Sequence, residues 1–106
     1  MIIKEKISKE KFKEIIGDDA MAKLAVDIEK KFLSISCEFH VFCAEELIQD
    51  GSRRKNLWGA NVYPDGAIDF TAVFNIRPQD GNRSTEIQNE DTKKEVEAVI
   101  KELLPI

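Results

Sequence analysis

Apolar and polar residues alternate most regularly between residues 68 and 77 of the chain. The apolar positions are Ile68, Phe70, Ala72, Phe74 and Ile76, and the intervening positions are Asp69, Thr71, Val73, Asn75 and Arg77. A period of two residues is typical of a β-strand that buries one face and exposes the other. The pattern therefore predicts a strand whose polar face carries Asn75 and Arg77.

The residues after this strand predict a sharp turn. Pro78 lacks the backbone donor that a sheet ladder needs, and the Asp-Gly-Asn segment at 80–82 tolerates left-handed backbone. Such a turn returns Arg83 and Ser84 toward the polar face of the strand. Guanidinium, amide and hydroxyl groups gathered in one corner can bind a carboxylate or a phosphate through paired hydrogen bonds. A surface loop held by its own Asn and Arg side chains is the alternative interpretation.

The longest alternation in the chain lies between residues 33 and 43. Every odd position there is apolar, and most of the residues between are polar. The preceding segment, residues 21–35, fits helical spacing as well as alternation, and the long alternation that follows favours strands. We predict a hairpin that turns at residues 29–31 and continues as a strand from Phe32 to about Cys43.

A second hairpin is predicted after a short helix. Residues 44–50 are good helix formers, and Gly51 is placed to end a two-turn helix. Residues 57–63 alternate again, and Pro64 begins a Pro-Asp-Gly turn that leads into the strand at Ile68.

One amphipathic helix is predicted at each end of the chain. Ser8 is a suitable N-cap for the first helix and Gly17 a suitable stop. Asn89 or Asp91 caps the second helix, whose apolar residues form one stripe. Residues 2–3 are apolar and predict a short edge strand.

Together these elements predict a single α+β domain over residues 1–106. Its sheet is mostly antiparallel with four to five strands, and its helices pack on one face. The opposite face stays exposed to water in this prediction. The polar residues expected on that exposed face are Asp27, Ser34, Glu38, His40, Asn61, Tyr63, Thr71, Asn75 and Arg77.

Charge and composition limit the classes of partner that the chain is expected to bind. The chain has 106 residues and a formal net charge of -4, which disfavours non-specific binding to nucleic acid. The basic run at 53–55 is too short to outweigh that balance. No apolar run is long enough to span a membrane, and charges begin too early for a secretory signal. We therefore expect a cytoplasmic protein without membrane contact, and the absence of nucleotide motifs predicts no cofactor.

The cysteines are expected to be free. Cys37 and Cys43 fall within the strand predicted over residues 32–43, so their Cα atoms would lie about 20 Å apart. A disulfide cannot cross that distance. Two buried thiols are consistent with a reducing compartment.

Glu38 and His40 are the candidate catalytic residues. Two residues apart on a strand, they project from the same polar face and can act as an acid and base pair or as metal ligands. The chain has one histidine, and both thiols are predicted in the core, so a closed zinc site lacks enough ligands. A surface histidine paired with a neighbouring carboxylate is the simpler interpretation.

Several blocks of the sequence resemble a family of small prokaryotic proteins of unknown function. They are NLWGANVYP at 56–64, NIRPQDGNRS at 75–84, EFH at 38–40 and DGS at 50–52. The likeness covers nearly the whole chain, and NIRP followed by GNRS is its most specific part. Since no function is established for the family, the resemblance implies candidate positions and no activity.

The chain departs from the family pattern after the first hairpin. That pattern is similar to Gly-Gly-Glu-Leu-His-Ala-Asp-Ala-Glu, which implies Glu, His, Asp and Glu along one strand face. Glu38 and His40 match it, but Phe42 and Ala44 stand in place of the two further acids. Half of the implied acidic cluster is therefore missing.

Three functions follow from these observations. The first is a binding domain for an anionic small molecule or an anionic group of a partner protein. The second is a small enzyme in which His40, assisted by Glu38, acts as a base toward a substrate held by Arg77. The third is a structural role in which the polar face forms a homodimer interface. The predicted binding residues are Asn61, Asn75, Arg77, Asn82, Arg83 and Ser84. A shared pocket requires His40 and Arg77 on the same surface of the sheet.

Overall fold

The structure is a computed structural model that describes residues 1–72 and 87–106. The strands in chain order are β1 (Ile2–Ile3), β2 (Ala22–Asp27), β3 (Phe32–Ile35), β4 (Leu57–Val62) and β5 (Ile68–Thr71). The α-helices are α1 (Lys9–Ile16), α2 (His40–Gln49) and α3 (Glu90–Leu103), and a short 3-10 helix spans Arg54–Asn56. The predicted continuation of the fifth strand to Ile76 and the predicted turn at 80–82 lie outside the described residues.

The strands form one antiparallel sheet in the order β1-β3-β2-β4-β5. In the first hairpin Val26 of β2 lies opposite Leu33 of β3, and in the second Ala60 of β4 lies opposite Phe70 of β5. The two hairpins join at the centre of the sheet, where Leu24 lies opposite Ala60. These pairings confirm the α+β fold, the mostly antiparallel sheet of four to five strands and the edge strand at residues 2–3.

Turn residues fix both hairpins. Gly66 adopts a φ of +92°, which only glycine reaches easily, and its N–H donates to the carbonyl of Tyr63 at 2.9 Å. The side chain of Asp65 accepts from the N–H of Ala67 at 3.0 Å, which closes the turn. In the first hairpin Lys31 takes the left-handed conformation, with a φ of +61°. That turn therefore forms without glycine.

Side-chain caps start the terminal helices where the sequence predicts. Ser8 Oγ accepts from the N–H of Lys11 at 3.1 Å at the start of α1. Asn89 Oδ1 accepts from the N–H groups of Asp91 and Thr92 at 2.8 and 3.1 Å, so Asn89 is the N-cap of α3. These bonds satisfy amides that have no partner inside the helix.

The long strand predicted over residues 32–43 is wrong beyond Ile35. Ser36 adopts a φ of +70°, which interrupts the ladder, and α2 begins at His40 instead of Ala44. The odd positions of the segment belong to three environments: a strand, a short connection and a helix face. The alternation therefore extends over the end of β3, the connection and the start of α2, and does not belong to one β-strand.

Side chains on both faces of the central strands are buried. Leu24 and Ala25 project to opposite faces, and both are fully buried. Ser34 lies opposite Ala25 and donates to Glu46 of α2 at 2.9 Å, which places α2 on that second face. On the apolar first face, α3 contacts β2 and β3, and the buried side chains of α1 and α3 belong to the same core cluster as those of the strands. The predicted exposure of Asp27 and Ser34 is wrong, because α2 and the residues after it cover both side chains.

Asp27 fastens the end of α2 to the sheet. Its Oδ2 accepts from Ser52 Oγ at 2.6 Å, and Ser52 lies three residues beyond the helix. Its Oδ1 accepts from the N–H groups of Glu29 and Lys30, each at 2.9 Å. One buried carboxylate therefore holds both the turn of the first hairpin and the segment that leaves α2.

The two cysteines form a disulfide, so the prediction of free thiols is wrong. Because α2 begins at His40, the Cα atoms of Cys37 and Cys43 lie 5.7 Å apart, a separation typical of a disulfide. The bond closes a short loop from the connection after β3 to the first turn of α2. Within the described ranges, no helix combines the length and the apolar character that a membrane span requires.

Candidate functional site

The first residue of α2 contacts the centre of the sheet. His40 Nε2 lies 2.7 Å from Asn61 Oδ1 on β4, and both side chains are partly buried. An amide oxygen accepts and cannot donate, so Nε2 carries the proton in this hydrogen bond. Two of the predicted site residues are therefore brought together, although the segment that carries His40 is not the predicted strand.

Asn61 is the middle member of a row of polar side chains. It lies opposite Lys23 of β2 on one side and opposite Asp69 of β5 on the other. Directly opposed residues project from the same face of a sheet, with Cβ atoms about 5 Å apart. The row runs from a cation through an amide to an anion, all on the face that α2 covers.

Tyr63 extends the anionic end of this row. Its hydroxyl donates to Asp69 Oδ2 at 2.6 Å. This hydrogen bond raises the pKa of Tyr63, and partial burial and the negative charges of Asp69 and Asp65 act in the same direction. The phenol therefore keeps its proton at neutral pH and remains a donor to Asp69. We call Lys23, His40, Asn61, Tyr63 and Asp69 the polar corner.

The beginning of α2 adds backbone donors to the polar corner. Phe39 occupies the N-cap position, and its side chain cannot accept the hydrogen bonds that a cap normally receives. The amides of the first turn carry the positive end of the helix dipole. His40 thus begins the helix beside donors that attract a negative group.

Glu38 does not join His40 in the arrangement that the sequence predicts. It lies in the connection between β3 and α2, where its side chain is exposed. The prediction that both residues project from one strand face is wrong, since the strand ends at Ile35. Glu38 instead lines an open cleft of about 400 Å³ together with Lys23, Ser36 and Cys37. Asp19 also lines this cleft, so its charge is mixed.

Five of the predicted binding residues cannot be compared with the structure. Asn75, Arg77, Asn82, Arg83 and Ser84 lie outside the described residues. Asn61 is the predicted binding residue that the structure describes, and its bond to His40 gives it a defined orientation. In the described part of the chain, no group of three or more His, Cys, Asp or Glu side chains is placed to hold a metal ion.

Sequence reasoning missed Lys23 and Asp69 as site residues. The turn signature at residues 64–66 is a signal for Asp69, because a tight turn places residues before the turn opposite residues after it. Lys23 was harder to find, since its relation to Asn61 depends on the pairing of β2 with β4, two strands that are distant in the sequence.

Comparison with known proteins places the chain in a family. The family profile described as "Protein of unknown function (DUF5674)" matches residues 1–103. The chain belongs to this family. The match covers the whole described sheet and all three helices, so the architecture above is that of a DUF5674 domain. Neither the curated proteins nor the solved structures include a match to the chain.

Proposed function

We propose that this DUF5674 domain binds an anionic group, on a small molecule or on a partner protein, at the polar corner. The observation that carries the proposal is the 2.7 Å contact between His40 and Asn61. It joins a ring nitrogen, an amide and the start of a helix in one place on the face of the sheet.

The charges of the corner set the position of the anion. Lys23 lies on one side of Asn61 and Asp69 on the other. An anionic group is attracted toward the ammonium of Lys23 and the first turn of α2, and is repelled by Asp69. The hydrogen bond from the Tyr63 hydroxyl offsets part of the negative charge of Asp69. The anion therefore lies on the Lys23 side of His40, with the Asn61 amide as a fixed donor.

The sequence predicts additional donors for the same ligand. Arg77 and Arg83 supply charge, and Asn75, Asn82 and Ser84 supply orienting hydrogen bonds. Guanidinium groups bind carboxylate and phosphate in a paired geometry, which a lysine alone cannot do. These five residues are part of the proposal on the strength of their sequence pattern.

Titration with inorganic phosphate, followed by NMR, tests the proposal. We expect phosphate to shift the amide signals of His40 and Val41 and the side-chain amide of Asn61. Asn61→Ala and Arg77→Ala should each weaken binding about tenfold or more, as expected for loss of one charge-assisted contact. Lys94→Ala is the matched control, because Lys94 is an exposed lysine on α3.

Two results would contradict the proposal. The first is phosphate binding that the Asn61 and Arg77 variants leave unchanged. The second is a lowered melting temperature of Arg77→Ala without any change in phosphate affinity, which would assign Arg77 to a structural loop.

A further inference from the structure

A pair of aromatic rings stands on the surface beside the polar corner. Phe39 and Phe42 are 54% and 47% exposed, and their rings meet edge to face with centroids 5.4 Å apart. His40, which lies between them in the sequence, turns inward to Asn61. The two rings therefore project outward from the start of α2 while their neighbour contacts the sheet.

Helix formation does not explain the choice of Phe39. The residue occupies the N-cap position of α2 and makes no side-chain capping bond. Ser, Thr, Asp and Asn are preferred there because they can accept from the first free amides. Phe39 contacts Phe42 but stays 54% exposed, and a position that breaks a local rule in this way is where a functional contact is expected.

The disulfide holds this aromatic pair in place. Cys37 and Cys43 are bonded to each other, and both phenylalanines lie within the loop that the bond closes. Cys43 is fully buried, and its sulfur lies 3.8 Å from the carbonyl oxygen of Lys23 on β2. A contact surface that is fixed before binding loses less conformational entropy when a partner docks.

The charges around the rings define the partner. Residues 32–52 contain no lysine or arginine. Glu46 and Asp50 are paired with the N-terminal ammonium and with Lys4, respectively. Glu38 and Glu45 are exposed, and within residues 1–72 and 87–106 neither makes an ion pair. Glu38 and Glu45, which make no ion pair in the described residues, are therefore close in sequence to the two rings, and Lys23 lines the same cleft as Glu38.

We propose that Phe39 and Phe42, together with Glu38 and Glu45, dock a cationic and apolar segment of a partner protein. Apolar side chains of that segment pack on the two rings, and its arginine side chains stack on them or pair with the carboxylates. We call these four residues the aromatic surface. Its ligand is opposite in charge to the anion proposed for the polar corner, so the two sites are tested with different probes.

Fluorescence anisotropy with two labelled peptides tests this inference on the oxidised protein. One peptide is an amphipathic sequence of leucine and arginine, and the other carries glutamate at every arginine position. We expect the cationic peptide to bind and the acidic peptide not to bind. Phe42→Ser should weaken binding about tenfold or more, as for a central aromatic contact. Glu45→Lys should weaken binding and reduce its dependence on salt.

Matched controls separate docking from general attraction to an acidic protein. Glu102→Lys makes the same charge change on α3, and Ile48→Ser removes an exposed apolar side chain further along α2. Both controls should bind the cationic peptide as the unchanged protein does, with melting temperatures checked for every variant. Reduction of the disulfide should weaken binding, because the closed loop holds the two rings in place.

Three outcomes would overturn the inference. They are equal binding of both peptides, equal weakening by Glu45→Lys and Glu102→Lys, and self-association through Phe42 in sedimentation, which would make a second copy of the chain the occupant. Phosphate binding at the polar corner is measured separately, so loss of one proposal leaves the other testable.

Discussion

The carboxylate of Asp27 gives the most direct test of how α2 is held over the sheet. Asp27→Ala removes the acceptor for Ser52 Oγ at 2.6 Å and for the two turn amides at 2.9 Å. Asp27 is fully buried and Ser52 is 7% exposed, so water does not readily replace their bond. A hydrogen bond to a charged group contributes about 1.5–3 kcal/mol, whereas the turn amides can regain water and contribute less.

These contributions predict that Asp27→Ala lowers the free energy of unfolding by about 3–5 kcal/mol. A domain of this size is stable by about 5–15 kcal/mol, so the loss is a large part of the total. Ser52→Ala should lower it by about 1.5–3 kcal/mol, because one carboxylate oxygen is left buried without a donor. The double variant should lose less than the sum of the two single losses, since both remove the same bond.

Urea denaturation monitored by Trp58 fluorescence measures these changes. Trp58 is the single tryptophan of the chain and is 5% exposed. It lies on β4 opposite Val26 of β2, one residue from Asp27. Two results would refute the reasoning. The first is a loss in the double variant that equals the sum of the two single losses to within about 0.5 kcal/mol. The second is a loss below about 1 kcal/mol in Asp27→Ala.

Three further predictions concern α2. Phe39→Ser should be about 1 kcal/mol more stable than Phe39→Ala, because serine supplies the missing cap; equal urea midpoints would exclude a cap effect. Reduction of the bond between Cys37 and Cys43 with a dithiol should lower the free energy of unfolding by about 2 kcal/mol, as expected for a loop this short. The same dithiol should leave the stability of Cys37→Ser unchanged, and an equal effect on both proteins would contradict this prediction. The hydrogen bond from the N-terminal ammonium of Met1 lowers the pKa of Glu46 below its ordinary value of 4.5. The stability from this contact is therefore complete above pH 4.5 and lost as the pH falls through the lowered pKa. Stability curves of the unchanged protein and Glu46→Gln should differ at neutral pH and converge in acid, and parallel curves would contradict the assignment.

Much of the fold followed from local signals. Ser8 and Asn89 cap their helices, and the Pro-Asp-Gly turn joins β4 to β5, because each of these residues acts on backbone within a few positions of itself. The second hairpin is predictable for the same reason, whereas the first is predicted from an alternation that continues beyond the end of β3. Contacts of this kind are encoded within a short window of sequence.

The failure at residues 36–43 has a different cause. The alternation predicts one strand, although the buried Cys43, Ala44 and Leu47 also fit one face of a helix. Ser36 with its positive φ separates the two elements, and serine gives little warning of such a conformation. The disulfide and the true position of His40 both depend on this break.

The burial of Asp27 could not be predicted from the pattern of the strand. Its partner Ser52 lies 25 residues away, and the bond exists because α2 crosses the face that was expected to be exposed. The contact of His40 with Asn61 has the same origin. The sequence suggested both residues, but it gave the wrong element for His40 and missed Lys23 beside them.

The most direct test of the proposed site is the protonation state of the His40 ring, measured by two-bond ¹⁵N correlation spectra with and without inorganic phosphate. Without phosphate, we predict a proton on Nε2 that is hydrogen bonded to Asn61 and a changed ring spectrum in Asn61→Ala. With phosphate, the ring nitrogen signals should move at the same concentrations that shift the first amides of α2. Ring signals that respond neither to Asn61→Ala nor to phosphate would contradict a binding corner built on His40 and Asn61.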